Sequence, residues 1–179
     1  MAYSSIIKPS TLMSAKLYTG NGGTQSITGV GFLPDFVWTK NRTSSADHQL
    51  YDIVRGVYKQ IKSNTTAVQE TDSNTLTAFG SDGFSLGSSD DVNQNAKNFV
   101  SWNWKAGTSV SGNTTQGGST AKAYSGSVNT TSGFSIITYL GNGTAGHAIP
   151  HHLGITPEII IAKRLSDAGE WYVFSTGMG

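Results

Sequence analysis

Apolar and polar residues alternate along most of this chain in short runs broken by glycine-rich turns. That period of two is the signature of strands with one buried face. Residues 15–19 predict a first strand, and Gly20-Asn21-Gly22-Gly23 supplies the positive φ angles of a tight hairpin turn, with residues 24–27 returning. Pro34-Asp35 reads as a turn feeding a strand over 36–40, where Phe36 and Trp38 share one face and Val37 and Thr39 the other. Residues 50–62 fit two periods. Leu50, Ile53, Val54, Val57, Tyr58 and Ile61 form a helical stripe, whereas Gly56 and the β-branched residues favour two strands around a bend, the reading preferred here. Residues 75–79 and 83–86 bracket the turn Gly80-Ser81-Asp82-Gly83 as a hairpin. The clearest alternation is 98–105, with Val100, Trp102 and Trp104 on one side, expected to be the core side, and Phe99, Ser101 and Asn103 on the other. A short strand is expected over 121–128, and another opens at 133–139. Ile159-Ile160-Ile161 is apolar on both faces, which predicts an inner strand between two packed layers.

The pattern repeats. Tyr18-Thr19-Gly20-Asn21-Gly22 returns as Tyr139-Leu140-Gly141-Asn142-Gly143, an offset of 121 residues, and Pro34-Asp35-Phe36-Val37-Trp38 returns as Pro157-Glu158-Ile159-Ile160-Ile161, an offset of 123. Leu50-Tyr51-Asp52 aligns with Val173-Phe174-Ser175. A period of this length is a domain rather than a solenoid repeat. The expected organisation is an N-terminal arm (1–14), a first module (15–106), a Gly/Ser/Thr-rich linker (107–132, with 107–119 as its natural core) and the first part of a second module (133–179). The fold class is all-β, an antiparallel sandwich of jelly-roll type. Half a sandwich exposes an apolar inner face and open strand edges. Either the polypeptide is longer or another subunit completes it.

Composition narrows the function classes. Charged residues are 13% of the chain, against about 25% in an average soluble protein, and 22 glycines accompany many Ser, Thr and Asn residues, as in chains of short strands. With 36% apolar residues the chain can still fill a core. The net charge of +1 and the scattered lysines and arginines argue against nucleic acid, which calls for clustered cations. With no cysteine there is neither a disulfide framework nor a thiolate metal site. No secretory signal and no apolar run of spanning length is visible, so membrane insertion is not expected.

Candidate chemistry is sparse. His147, His151 and His152 invite a metal reading but lack the spacing of a zinc site, and loop histidines are the plainer reading. Asp82, Asp90, Asp91, Asn93 and Asn95 could offer oxygens to calcium without the EF-hand spacing; a polar loop is the alternative. No cofactor is expected. Trp102 and Trp104 could stack on sugar rings, although their shared face with Val100 favours the core, and Trp38 is read as core as well. Lys40, Arg42, Lys163 and Arg164 recur at matching strand ends, where they could clamp an acidic partner or sugar, or simply protect an edge. A glycan-degrading enzyme would need two carboxylates across a cleft, for which Asp35, Asp52 and Glu70 are the residues to inspect, but no motif selects a pair. The expectation is a protein that is not an enzyme.

One resemblance covers nearly the whole chain. The motifs over 18–22, 31–42, 50–56, 82–87 and 102–107 resemble, in order, those of virion-associated modules in tailed-phage genomes. That resemblance implies a concanavalin A-like lectin/glucanase sandwich, often in tandem, in tail-fibre or other virion-surface proteins. It implies a structural protein made in the bacterial host cytoplasm and located on the virion, at tail or capsid surface. Its partners would be other virion proteins, further copies of itself (a trimer is common in such appendages) and host-surface glycans. The alternatives are a capsid-decorating or head-fibre protein anchored by residues 1–14, and a carbohydrate-binding lectin. The resemblance transfers no ligand-binding residues.

Overall fold

The computed structural model describes residues 8–114 and 121–177. After a 3-10 turn at Pro9–Thr11 come β1 (Met13–Thr19), β2 (Gln25–Ile27), β3 (Phe36–Asn41), β4 (Gln49–Asp52), β5 (Lys59–Lys62) and β6 (Glu70–Thr71). Then follow β7 (Leu76–Gly80), β8 (Gly83–Leu86), a single helical turn α1 (Asp90–Asn93) and β9 (Asn98–Trp104). The remainder is β10 (Thr108–Asn113), β11 (Ala123–Asn129), β12 (Phe134–Tyr139), β13 (Ile159–Lys163) and β14 (Trp171–Ser175). The fold is all-β, as the alternation predicts, and the 50–62 stretch is two strands joined by a bend.

The first module is a sandwich. One antiparallel sheet runs β1-β9-β3-β4-β5-β6, and β2-β8-β7 lies across its inner face. Ile27, Val37, Tyr51, Leu76, Phe84, Leu86 and Val92 form the core between them, with Tyr18, Val57 and Phe79 packed at its margin. The register decides which side faces in. Trp38 lies opposite Trp102, and Thr39 opposite Ser101. Phe99, Ser101 and Asn103 are fully buried on the inner face. The expectation for β9 is therefore reversed. Trp102 and Trp104, with Trp38, stand half-buried on the outer face, and the less apolar side of the strand faces the sandwich interior.

Short polar locks hold the turns. Gly20-Asn21-Gly22-Gly23 is a corner between sheets, not the expected hairpin: β2 pairs with β8 rather than with β1. The carboxamide of Asn93 fixes this corner, its Nδ2 donating to Asn21 Oδ1, Gly23 O and Gly87 O (3.0, 2.6 and 2.8 Å) while its Oδ1 accepts from Asn21 N–H. Gly20 is required there because a Cβ would meet Gln94 O at 2.2 Å. At the β7–β8 turn, Asp82 accepts from Gly29 and Gly31 N–H (2.9 and 2.6 Å). After β4, a buried Asp52–Arg55 ion pair ties the bend, and the guanidinium also donates to Leu50 O, Lys59 O and Gln69 Oε1. Such burial is favourable only when the ions' other hydrogen-bonding positions are filled, as these are.

Strands occupy much of the stretch read as a linker. β10 pairs with β11 and β11 with β12, a three-stranded sheet that packs Phe134 against Phe36 and Trp104 on the outer face. The buried Asp35 stitches it down, accepting from Ala106 N–H at 2.9 Å and from Ser127 Oγ–H on β11 at 2.7 Å. Residues 115–120 of the expected linker, and 1–7 of the expected arm, lie outside the described residues; residues 13–14 of the arm belong to β1.

The second copy repeats the first in register. Phe36↔Asp52, Val37↔Tyr51 and Trp38↔Leu50 become Ile159↔Ser175, Ile160↔Phe174 and Ile161↔Val173, each residue displaced by 123. Even the flanking bond recurs: Ile53 N–H to Asp35 O (2.9 Å) matches Thr176 N–H to Glu158 O (3.0 Å). The environment differs. β13 and β14 form a two-stranded sheet, and Ile159, Ile160 and Ile161 are exposed instead of lying between packed layers. The inner-strand expectation fails because no strand corresponding to β9 flanks β13 among the described residues.

Asn93→Ala is expected to cost about 3 kcal/mol, because the fully buried carboxamide gives up its bonds to Gly23 O, Gly87 O, Asn21 Oδ1 and Asn21 N–H at about 1 kcal/mol each. Urea unfolding of the two proteins, read by tryptophan fluorescence, measures the difference; a change below about 0.5 kcal/mol would refute the corner lock.

Candidate functional site

Two surfaces gather polar or aromatic groups. The first is a cleft of about 410 Å³ at the end of β3, lined by Asn41, Ser44, Asp47, Asn64, Asp91 and Gln94 among others. Asn41 is the last residue of β3 and is buried; its Oδ1 accepts from Thr43 and Ser44 N–H (2.9 and 3.0 Å), curling the chain over the cleft. Asn64 pins the far wall, donating to Asp47 Oδ1 at 2.8 Å and accepting from His48 N–H at 3.0 Å. Asp91 comes from α1. Burial pushes its carboxyl above the ordinary carboxylate range, with Lys62 opposing. Nearby Glu70 is held below that range by hydrogen bonds from Gln60 and Lys62. No lysine or arginine lines the cleft. Its carboxamides, hydroxyls and carboxylates suit a neutral, hydroxyl-bearing ligand better than an anion.

The second surface is the outer face of the six-stranded sheet. Trp38 and Trp102 meet edge to face with centroids 6.0 Å apart. Trp38 Nε1–H donates to His48 Nδ1 at 2.8 Å, which leaves the imidazole proton on Nε2. Desolvation, and then the Lys40 charge, hold His48 below its ordinary value of 6.5. Trp104 plays a different part: it is stacked on Phe134 (6.1 Å, 22°) and edge-on to Phe36 (5.5 Å), so the third sheet partly covers it.

The basic residues do not converge. Lys40 is on the outer face with its Nζ on Asn41 O at 2.8 Å, and Arg42 is exposed just past β3. Lys163 donates to Thr66 O and Gly169 O (3.2 and 2.8 Å), and Arg164 donates to Ala168 O at 3.1 Å beside Asp167. Both shape the β13–β14 loop, and Lys163 also docks it on the loop after β5, where Trp171 Nε1–H bonds Lys62 O and Thr65 O (3.1 Å each).

The remaining candidates have separate partners. His147 bonds Thr114 Oγ1 at 2.7 Å, His152 bonds Tyr124 OH at 2.9 Å, and the His151 ring accepts from Leu153 N–H at 3.1 Å. Asp82 serves the Gly29–Gly31 loop and the Asn93 carboxamide the corner, while Asp90 and Asp91 of the same helical turn as Asn93 line the cleft. Among the described residues no three His, Asp or Glu side chains form a metal-binding group. Asp35, Asp52 and Glu70 are engaged by Ser127, Arg55 and Lys62 respectively. Gly83-Phe84-Ser85-Leu86-Gly87 has the spacing of a hydrolase nucleophile elbow but is strand β8 within a sheet, with Ser85 Oγ 3.2 Å from Ser26 Oγ; an elbow needs a strand-to-helix turn. Sequence reasoning passed over Asp47 and Asn64, since nothing in a single sequence signals that two loops 16 residues apart meet through His48 and Asn64.

The His48 contact predicts a pH dependence. The folded state favours the neutral ring, so the unfolded chain takes up a proton first as pH falls below 6.5. Stability is fully present above that value and declines below it until the folded imidazole titrates. Wild type should lose stability relative to His48→Gln between about pH 7.5 and about pH 5.5 in parallel denaturant titrations; curves that stay parallel would contradict the contact.

No curated protein and no solved structure matches the chain. Among the described residues no helix is long and apolar enough to cross a membrane. Residues 8–179 match the family model described as a domain of unknown function, DUF7483, and the chain belongs to that family.

Proposed function

We propose that this chain is a structural component of a tailed-phage virion, part of a tail fibre or similar appendage, acting in assembly and in attachment to the host surface. The tandem copy carries the reading: one polypeptide builds β3–β4 and β13–β14 in the same register, the serial construction of the appendage proteins that its motifs resemble. The roles of the motif residues support it. Asn21, the Asp52–Arg55 pair and Asp82 each fix backbone, so these motifs are those of a scaffold. Attachment by such a scaffold draws on multiplicity, in which weak sites on repeated copies add through effective concentration.

A lectin role within the same appendage is favoured by the oxygen- and amide-lined cleft. Glycan arrays probed with the assembled protein separate the two surfaces: capture lost with Asn64→Ala points to the cleft, and capture lost with Trp102→Ala points to the outer face.

The direct test is immunogold labelling of purified phage particles whose genome encodes this chain. Label on the tail appendage is the expected result, and label on the shell would support the head-fibre alternative. Particles that contain none of the protein would refute a virion role.

A further inference from the structure

The two copies differ in one structural respect that bears on partners. In the first, β3 lies between β4 and β9, with Phe36 opposite Trp104, Val37 opposite Asn103, Trp38 opposite Trp102 and Thr39 opposite Ser101. In the second, β14 stands where β4 does, and among the described residues no strand flanks the other edge of β13. The consequence is apolar exposure. Val37 and Tyr51 are fully buried, whereas their counterparts Ile160 and Phe174 are 48% and 55% exposed. On the opposite face Ile159, Ile161 and Val173 are exposed too. An edge strand is ordinarily blunted by charge, proline or a bulge. Ile159-Ile160-Ile161-Ala162 carries neither charge nor proline, and its pairing with β14 is regular throughout.

We infer that the free edge of β13 docks an extended strand of the β9 type from a partner polypeptide. The first copy dictates the chemistry of that strand. It runs antiparallel to β13 and sets aromatic rings opposite Ile159 and Ile161, as Trp104 and Trp102 stand opposite Phe36 and Trp38. It sets small polar residues opposite Ile160 and Ala162, as Asn103 and Ser101 stand opposite Val37 and Thr39. Main-chain bonds supply affinity and the Trp-x-Trp spacing supplies register, the mode of strand addition to an open sheet. The β9 of a second copy is not the donor of such a strand, because it is paired on both flanks, with β1 and with β3. The inference goes beyond the virion reading and does not depend on it.

The test uses the whole purified chain and a fluorescent peptide with the sequence of residues 97–105. Saturable binding is expected, with amide exchange across Ile159–Lys163 slowed at least tenfold. A peptide with serine in place of both tryptophans should lose that protection, and so should the chain carrying Ile160→Pro. Three results would overturn the inference: no slowing at β13; slowing confined to β1 and β3, which would mean exchange into the first copy; or β13 protected without peptide in a self-associated species, which would make a second copy the occupant.

Discussion

The first sandwich depends on placing a sequence-distant strand in the middle of a sheet. β9 enters between β1 and β3, pairing Leu17 with Val100 and Thr39 with Ser101. Closing so long a loop costs chain entropy before any contact compensates for it. The return is pairing on both flanks, a buried inner face and the Trp38–Trp102 and Phe36–Trp104 contacts outside. The second copy shows the same sequence plan without that strand. Its counterparts of β1 and β3–β4 part company: β12 joins β10 and β11, while β13 stays with β14 alone. The hairpin register survives because it is set locally. Burial does not, because it needs the third strand and the opposing sheet.

Polar side chains do the remaining specification. Asn93 binds the corner between the sheets, Asp82 the loop over the β7–β8 turn, Arg55 the bend after β4, and Asp35 the junction with the third sheet. Each bonds backbone groups at a turn or junction, exposed ones for Asp82 and partly or fully buried ones for Asn93, Arg55 and Asp35. A scaffold locked at its turns in this way holds its loops in fixed positions. The cleft between Asn41, Asp47 and Asn64 is shaped in the same way, by bonds to Asn41 Oδ1 from Thr43 and Ser44 N–H and by those joining Asn64 to Asp47 and His48.

Much of the first module was legible because strand alternation is local. The strands at 36–40, 75–79, 83–86 and 98–105 and the bend within 50–62 lie close to their expected positions. The repeat was legible as well, down to a constant offset that became a constant register. What escaped depended on distant partners. Gly20–Gly23 has the residues of a hairpin, and only Asn93, 72 positions from Asn21, makes it a corner. The side of β9 bearing Trp102 and Trp104 is the more apolar, so alternation alone predicts it as the core side. Instead the sandwich buries Phe99 with Ser101 and Asn103, and the tryptophans meet Trp38 and Phe134 outside. Ile159–Ile161 has the composition of an inner strand, but composition does not supply the neighbours that would bury it. The hydroxyl-rich stretch after Gly107 looked like a linker because β10 gains its order from β11.

Native-state hydrogen exchange on the monomeric chain, comparing β3 with β13, tests the central claim most directly. If β9 insertion is what turns this hairpin plan into a core, the amides of Val37 and Thr39 exchange only through global unfolding, and those of Ile160 and Ala162 exchange through local opening, at least a hundredfold faster. Equal protection of the two strands in the monomer would contradict the account.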